Sequence, residues 1–127
     1  MTAMSQYSYC RILVAGLKVD RAQILLEALF NGTFERRTLT MGDVEVEVRR
    51  NPDARNDEAP SNDFVRWPVQ IEVEPVSQDG EASTVETVSR ILEAVWGAQG
   101  QAVAACDFED ELPWSGGIGL LDEPTPE

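Results

Sequence analysis

GDVEVEVRRN, residues 42–51, decides the fold. Gly42-Asp43 is a turn signal, and beyond it Val44, Val46 and Val48 alternate with Glu45, Glu47 and Arg49. Alternation at this period puts every valine on one face of a strand and every charged side chain on the other. A strand that is half dry and half wet belongs to an antiparallel sheet with one face covered and one open. The pattern leaves two readings of residues 34–40 open, a separate strand paired with 43–50 or only a lead-in to it.

Downstream, NPDARNDEAPSND (51–63) has no apolar residue beyond Ala and is rich in Pro, Asn and Asp. It buries too little to offset the entropy of ordering, which predicts a long mobile loop. FVRWPVQIEVEPV (64–76) then repeats the alternation, with Val65, Trp67, Val69, Ile71 and Val73 set against Arg66, Gln70, Glu72 and Glu74. Pro68 falls on the wet parity and predicts a bulge, or a position that needs no backbone donor.

Helix patterns flank these strands. VDRAQILLEALFNG (19–32) places Asp20 as the cap, Leu25, Leu26, Ala28 and Leu29 as an apolar stripe, and Asn31-Gly32 as the stop. STVETVSRILEAVWGAQG (83–100) opens with a Ser83/Glu86 capping box, and Val85, Val88, Ile91, Leu92, Val95 and Trp96 form its apolar side. YCRILVAGL (9–17) is apolar on both parities, as expected of a strand near the centre of a sheet, and QAVAACDF (101–108) supplies the last strand.

The order is therefore β-α-β(β)-β-α-β, and over roughly residues 8–108 it resembles the ferredoxin-like split β-α-β plan. That resemblance implies an α+β two-layer sandwich: an antiparallel sheet of strand order 4-1-3-2, with room for one extra strand, and two helices on one face. It is a likeness of topology and brings no functional motif. The run AVAACDFEDELP (102–113), behind an amphipathic helix, is also similar to small bacterial proteins of no assigned activity. One domain is expected over 8–112, followed by a loose tail at 113–127, where the glycines and DEPTPE lie.

Composition narrows the function. A chain of 127 residues fits one domain, which at that size buries roughly 65–70% of its unfolded surface. No apolar run approaches the roughly 20 residues of a membrane-spanning helix. The first apolar run carries Arg11 within it rather than a basic segment ahead of it, so it reads as a strand and not a signal peptide, and the expected location is cytoplasmic. Ten basic against 23 acidic residues give a net charge of −13, which argues against nucleic acid and favours a basic partner. Nine of the ten basic residues are Arg, a hint of GC-rich bacterial coding.

The chain has no histidine, which removes His-based acid-base catalysis, Ser-His-Asp and Cys-His nucleophiles, and the usual zinc and copper sites. SGGIG (115–119) has glycines but neither the preceding strand nor the following helix of a phosphate loop, and reads as a turn or flexible tail. Asp107, Glu109, Asp110 and Glu111 offer hard oxygen ligands for a divalent cation, but an EF-hand register from Asp107 fails, with Leu112 at the sixth position and Ile118 at the twelfth. The cluster reads as the solvated end of a strand, and no metal or other cofactor is expected.

In the 4-1-3-2 arrangement the end of the last strand meets the beginning of the first, which brings Cys10 and Cys106 towards each other as a candidate thiol pair. No neighbouring Lys or His lowers their pKa, so reduced, packed thiols are the default. Parity also gathers Glu45, Glu47, Gln70, Glu72 and Glu74 on the face away from the helices, with Arg11, Arg49 and Arg66 available to interleave. Trp67 and Trp96 are expected in the core, and Trp114 on the surface as a binding anchor. The favoured reading is a non-enzymatic acidic protein of immunity or antitoxin type. It engages a basic protein partner through Glu45, Glu47, Glu72, Glu74, the 107–111 acids and Trp114. The alternatives are a dimeric small-ligand or metal-responsive domain, and a hydrolase or isomerase that uses carboxylates alone.

Overall fold

The computed structural model describes residues 9–42, 44–52, 54, 64–76, 81–106 and 111–117. In chain order the elements are β1 (Cys10–Ala15), α1 (Val19–Phe30), β2 (Thr38–Met41), β3 (Val44–Arg50), β4 (Val69–Pro75), α2 (Glu81–Gly97) and β5 (Gln101–Ala105). Short 3₁₀ helices occupy Phe64–Arg66 and Pro113–Gly117. The five strands form one antiparallel sheet in the order β2-β3-β4-β1-β5, and both helices pack on its inner face. This α+β sheet differs from the expected order 4-1-3-2. Residues 38–41 are a strand in their own right, turned into β3 through Gly42 at φ 61° and added at the sheet edge.

The valines of β3 do what their spacing requires. Val44, Val46 and Val48 are buried on the inner face beside Val69, Ile71 and Val73 of β4 and Cys10, Ile12 and Val14 of β1. Ala22 and Leu26 of α1 and Val88, Ile91, Leu92 and Val95 of α2 close over them. Each fully buried aliphatic side chain there contributes about 1.5–3 kcal/mol of hydrophobic free energy.

Helix starts depart from expectation. Lys18, not Asp20, precedes the first turn of α1, and Asp20 lies inside that turn, where its Oδ1 accepts from the Arg21 amide at 2.9 Å. α2 begins at Glu81, so Ser83 and Glu86 sit within the helix and form no capping box. The stop at Asn31 is as expected: it takes the left-handed conformation at φ 56°, and its amide donates to the Glu27 carbonyl.

Each outer strand of the sheet is partly screened. At β5, the 113–117 segment expected to begin a loose tail is a 3₁₀ turn, with Gly116 and Gly117 buried. A Cβ on Gly117 would lie 2.3 Å from the Ala102 carbonyl oxygen, and φ is 99°, so only glycine lets the segment lie this close to the strand. At β2, the Glu35 amide donates to the Thr38 carbonyl at 2.9 Å and the Thr38 amide returns a bond to Glu35 at 3.1 Å. That bridge occupies edge groups that would otherwise be open to another strand.

Candidate functional site on the outer sheet face

Strand register arranges the outer face into rows that run across the sheet. One row reads Thr38, Glu47, Glu72, Arg11, Ala105 from β2 to β5. Beside it Thr40, Glu45 and Glu74 form a second row on one flank, and Arg49, Gln70, Leu13 and Val103 form a third on the other. Glu45 therefore faces Glu74, and Glu47 faces Glu72.

The face is not uniformly wet. Leu13, Ala15 and Val103 form a second, smaller apolar cluster with Trp67, which is 3% exposed, and Phe64 and Ala105 pack against it. Trp67 was expected under the helices with Val69 and Ile71. It lies instead on the opposite face, because β4 starts only at Val69 and residues 64–66 turn in a 3₁₀ helix, closed by a 3.0 Å bond from the Trp67 amide to the Phe64 carbonyl. Phe64 meets Trp67 edge to face, with ring centroids 6.3 Å apart. Pro68 thus precedes the strand rather than bulging it. The apolar cover over β1 and β5 leaves β3 and the Glu72–Glu74 end of β4 as the open, acidic half.

A polar chain joins the two halves. Arg11 Nε donates to Gln70 Oε1 at 2.8 Å and its Nη2 to Asn51 Oδ1 at 3.1 Å. Asn51, 1% exposed, donates through Nδ2 to the Trp67 carbonyl at 2.7 Å, and its amide donates to the Pro68 carbonyl at 2.8 Å. Gln70 Nε2 donates to Glu72, and Arg49 Nη2 stands 3.7 Å from the same carboxylate oxygen. The buried Nε of Arg49 has no hydrogen-bond partner among the described residues.

Tyr9 completes the chain. Burial, then the charge of Glu72 and a hydrogen bond to it, push the phenol up from 10.0 to about 12. The group is a neutral donor at any physiological pH. It has no use there as a base.

Glu72 is thereby held by Gln70, Arg49 and Tyr9, and it serves the fold. Among the described residues no side-chain hydrogen bond or ion pair involves Glu45, Glu47 or Glu74, and these carboxylates are the ones left to meet something else. Also among the described residues, no group of three Cys, Asp or Glu side chains could hold a metal ion.

The remaining sequence candidates lie elsewhere. Asp107, Glu109 and Asp110 fall outside the described residues, as does the side chain of Trp114. Glu111 is exposed, next to the buried Leu112. Arg66 is exposed at the end of the 3₁₀ turn, outside strand β4. Cys10 is buried and Cys106 half-buried, both as thiols that pack against the inner core.

Sequence reasoning missed Tyr9, and it left Asn51 in a loop and Gln70 on a wet face. Asn51 carried a signal, being the first residue after a strand of alternating charge, where an amide side chain often satisfies a turn. Gln70 carried none, since its side chain is held by Arg11, which comes from a strand far away in sequence.

No family model matches the sequence, and comparison with curated proteins and with solved structures gives no match either. Among the described residues no helix is long and apolar enough to cross a membrane.

Proposed function

We propose that this chain is a non-enzymatic binding module that takes a basic protein partner on the acidic corner formed by Glu45, Glu47 and Glu74. The observation that supports this reading is the register that sets Glu45 against Glu74 and Glu47 against Glu72. Like charges directly opposite on a sheet are destabilising by a few tenths of a kcal/mol or more, a cost that a cation between them removes. Successive outward residues of one strand are about 6.7 Å apart. An extended segment with Arg or Lys at alternate positions matches that spacing.

The net charge of −13 extends the attraction beyond contact and speeds encounter with a cationic surface. An immunity- or antitoxin-like role, neutralising a basic enzyme, is the form of this reading that best suits the charge. The ferredoxin-like plan, widened by β2, is our reading of the frame. Its support is the order β5-β1-β4-β3 of the other four strands.

The test is calorimetric titration, at low salt, with a synthetic extended peptide carrying Arg at alternate positions. Removing the corner charges with Glu45→Gln, Glu47→Gln and Glu74→Gln together is expected to weaken binding at least tenfold. A charge-matched control, Asp20→Asn with Glu86→Gln and Glu93→Gln on the helices, is expected to change it about twofold. Equal losses in both variants would reduce the effect to net charge and end the assignment.

A further inference from the structure

The ladder between β1 and β5 pairs Arg11 with Ala105, Ile12 with Ala104 and Leu13 with Val103. Continued by one residue, the same register sets Cys10 opposite Cys106. Residues directly opposite in an antiparallel pair have Cα atoms about 4.5–5.5 Å apart, inside the roughly 4.4–6.8 Å range of disulfides. Parity agrees: Cys10, Ile12 and Val14 share the inner face, and Cys106 continues the side taken by Ala102 and Ala104. Both cysteines pack against one core, and both are thiols in this structure.

Their exposures differ in a useful way. Cys10 is 0% exposed, whereas Cys106 is half-buried, one residue past the end of β5. A small disulfide reaches Cys106 first. Cys10 is met only from within the protein.

We propose that Cys10 and Cys106 are a redox pair that closes to a cross-strand disulfide, with Cys106 as the entry point. The Cys106 thiolate, formed by loss of its proton to solvent, attacks one sulfur of a low-molecular-weight disulfide RSSR. One RS⁻ leaves and takes up a proton, and a mixed disulfide remains on Cys106. Cys10 then loses its proton and attacks the Cys106 sulfur, expelling the second RS⁻, which is protonated in turn. Two protein thiols are oxidised and one RSSR is reduced to two RSH.

The closed form ties the end of the last strand to the start of a central one. The bridged loop runs from residue 10 to residue 106, so it removes much of the freedom of the unfolded chain. This inference stands on the β1–β5 register and the burial of the two thiols, and is independent of any partner on the acidic corner.

The experiment treats the native protein with glutathione disulfide, quenches with acid, and reads intact mass and non-reducing peptide maps. The expected product is a monomer two hydrogens lighter than the dithiol, with Cys10 and Cys106 peptides linked. It should melt about 10 °C higher and revert with dithiothreitol. Cys10→Ser is expected to stop at one glutathione on Cys106, and Cys106→Ser to stay unmodified. Should Cys10→Ser fail to fold, the wild-type product still decides. Accumulation of the mixed disulfide on wild-type protein, a dimer linked through Cys106, or reaction only in denaturant would each overturn the proposal.

Discussion

Glu47 and Glu72 stand directly opposite one another on β3 and β4, and of the two only Glu72 has a described cation in range, Arg49 at 3.7 Å. The pair is a repulsion that the fold tolerates. Glu47→Gln is therefore expected to stabilise the protein by about 0.2–1 kcal/mol, seen as a higher urea midpoint at low salt. The gain should shrink at 1 M salt, where charges are screened within about 3 Å. A midpoint that does not move at low salt would show that Glu47 is already compensated.

Asn51 is expected to be the most sensitive polar position. Its side chain accepts from Arg11 and donates to the Trp67 carbonyl. Asn51→Ala leaves that buried carbonyl without the amide donor, which costs about 1–3 kcal/mol. Urea unfolding measures it, and a loss below 0.5 kcal/mol would mean that water replaces the amide.

Gly117→Ala tests the cover over β5. The added Cβ has no room beside the Ala102 carbonyl, so the 113–117 turn is expected to lift away while the core stays intact. Hydrogen exchange should then accelerate at β5 and at the turn, with β3 and β4 unchanged. Uniform protection across β5 in the variant would argue that the turn shifts as a body instead.

Tyr9 gives a pH prediction with a definite sign. Its folded value, about 12, lies above the ordinary 10.0, so folding favours the neutral phenol. The associated stability is complete below pH 10 and is lost as pH rises through about 12. Spectrophotometric titration should show one phenol ionising late. Glu72→Gln should bring that step down, since it removes the charge that opposes the phenolate.

Much of the architecture was legible because hydrophobic period is a local property. The alternation of Val44, Val46 and Val48 and the two-sided apolarity of Cys10–Ala15 both read correctly, and β1 does lie between β4 and β5. Trp67 misled because parity was carried through Pro68, where the chain turns and the count restarts. Gly116 and Gly117 resembled a tail because composition cannot show that a strand edge lies beside them. At the candidate site, the co-facial glutamates followed from parity, whereas the division between held Glu72 and unheld Glu45, Glu47 and Glu74 needed the positions of Arg49, Gln70 and Tyr9.

The central place of β1 also bears on how the protein is made. Both of its sheet neighbours, β4 at Val69–Pro75 and β5 at Gln101–Ala105, are synthesised long after it. On the ribosome the first apolar segment emerges with two faces to bury and no strand to pair with, and it waits for the second half of the chain. Nascent chains that end before β4 therefore hold an unpartnered hydrophobic strand, and that is the stage at which a chaperone has most to offer.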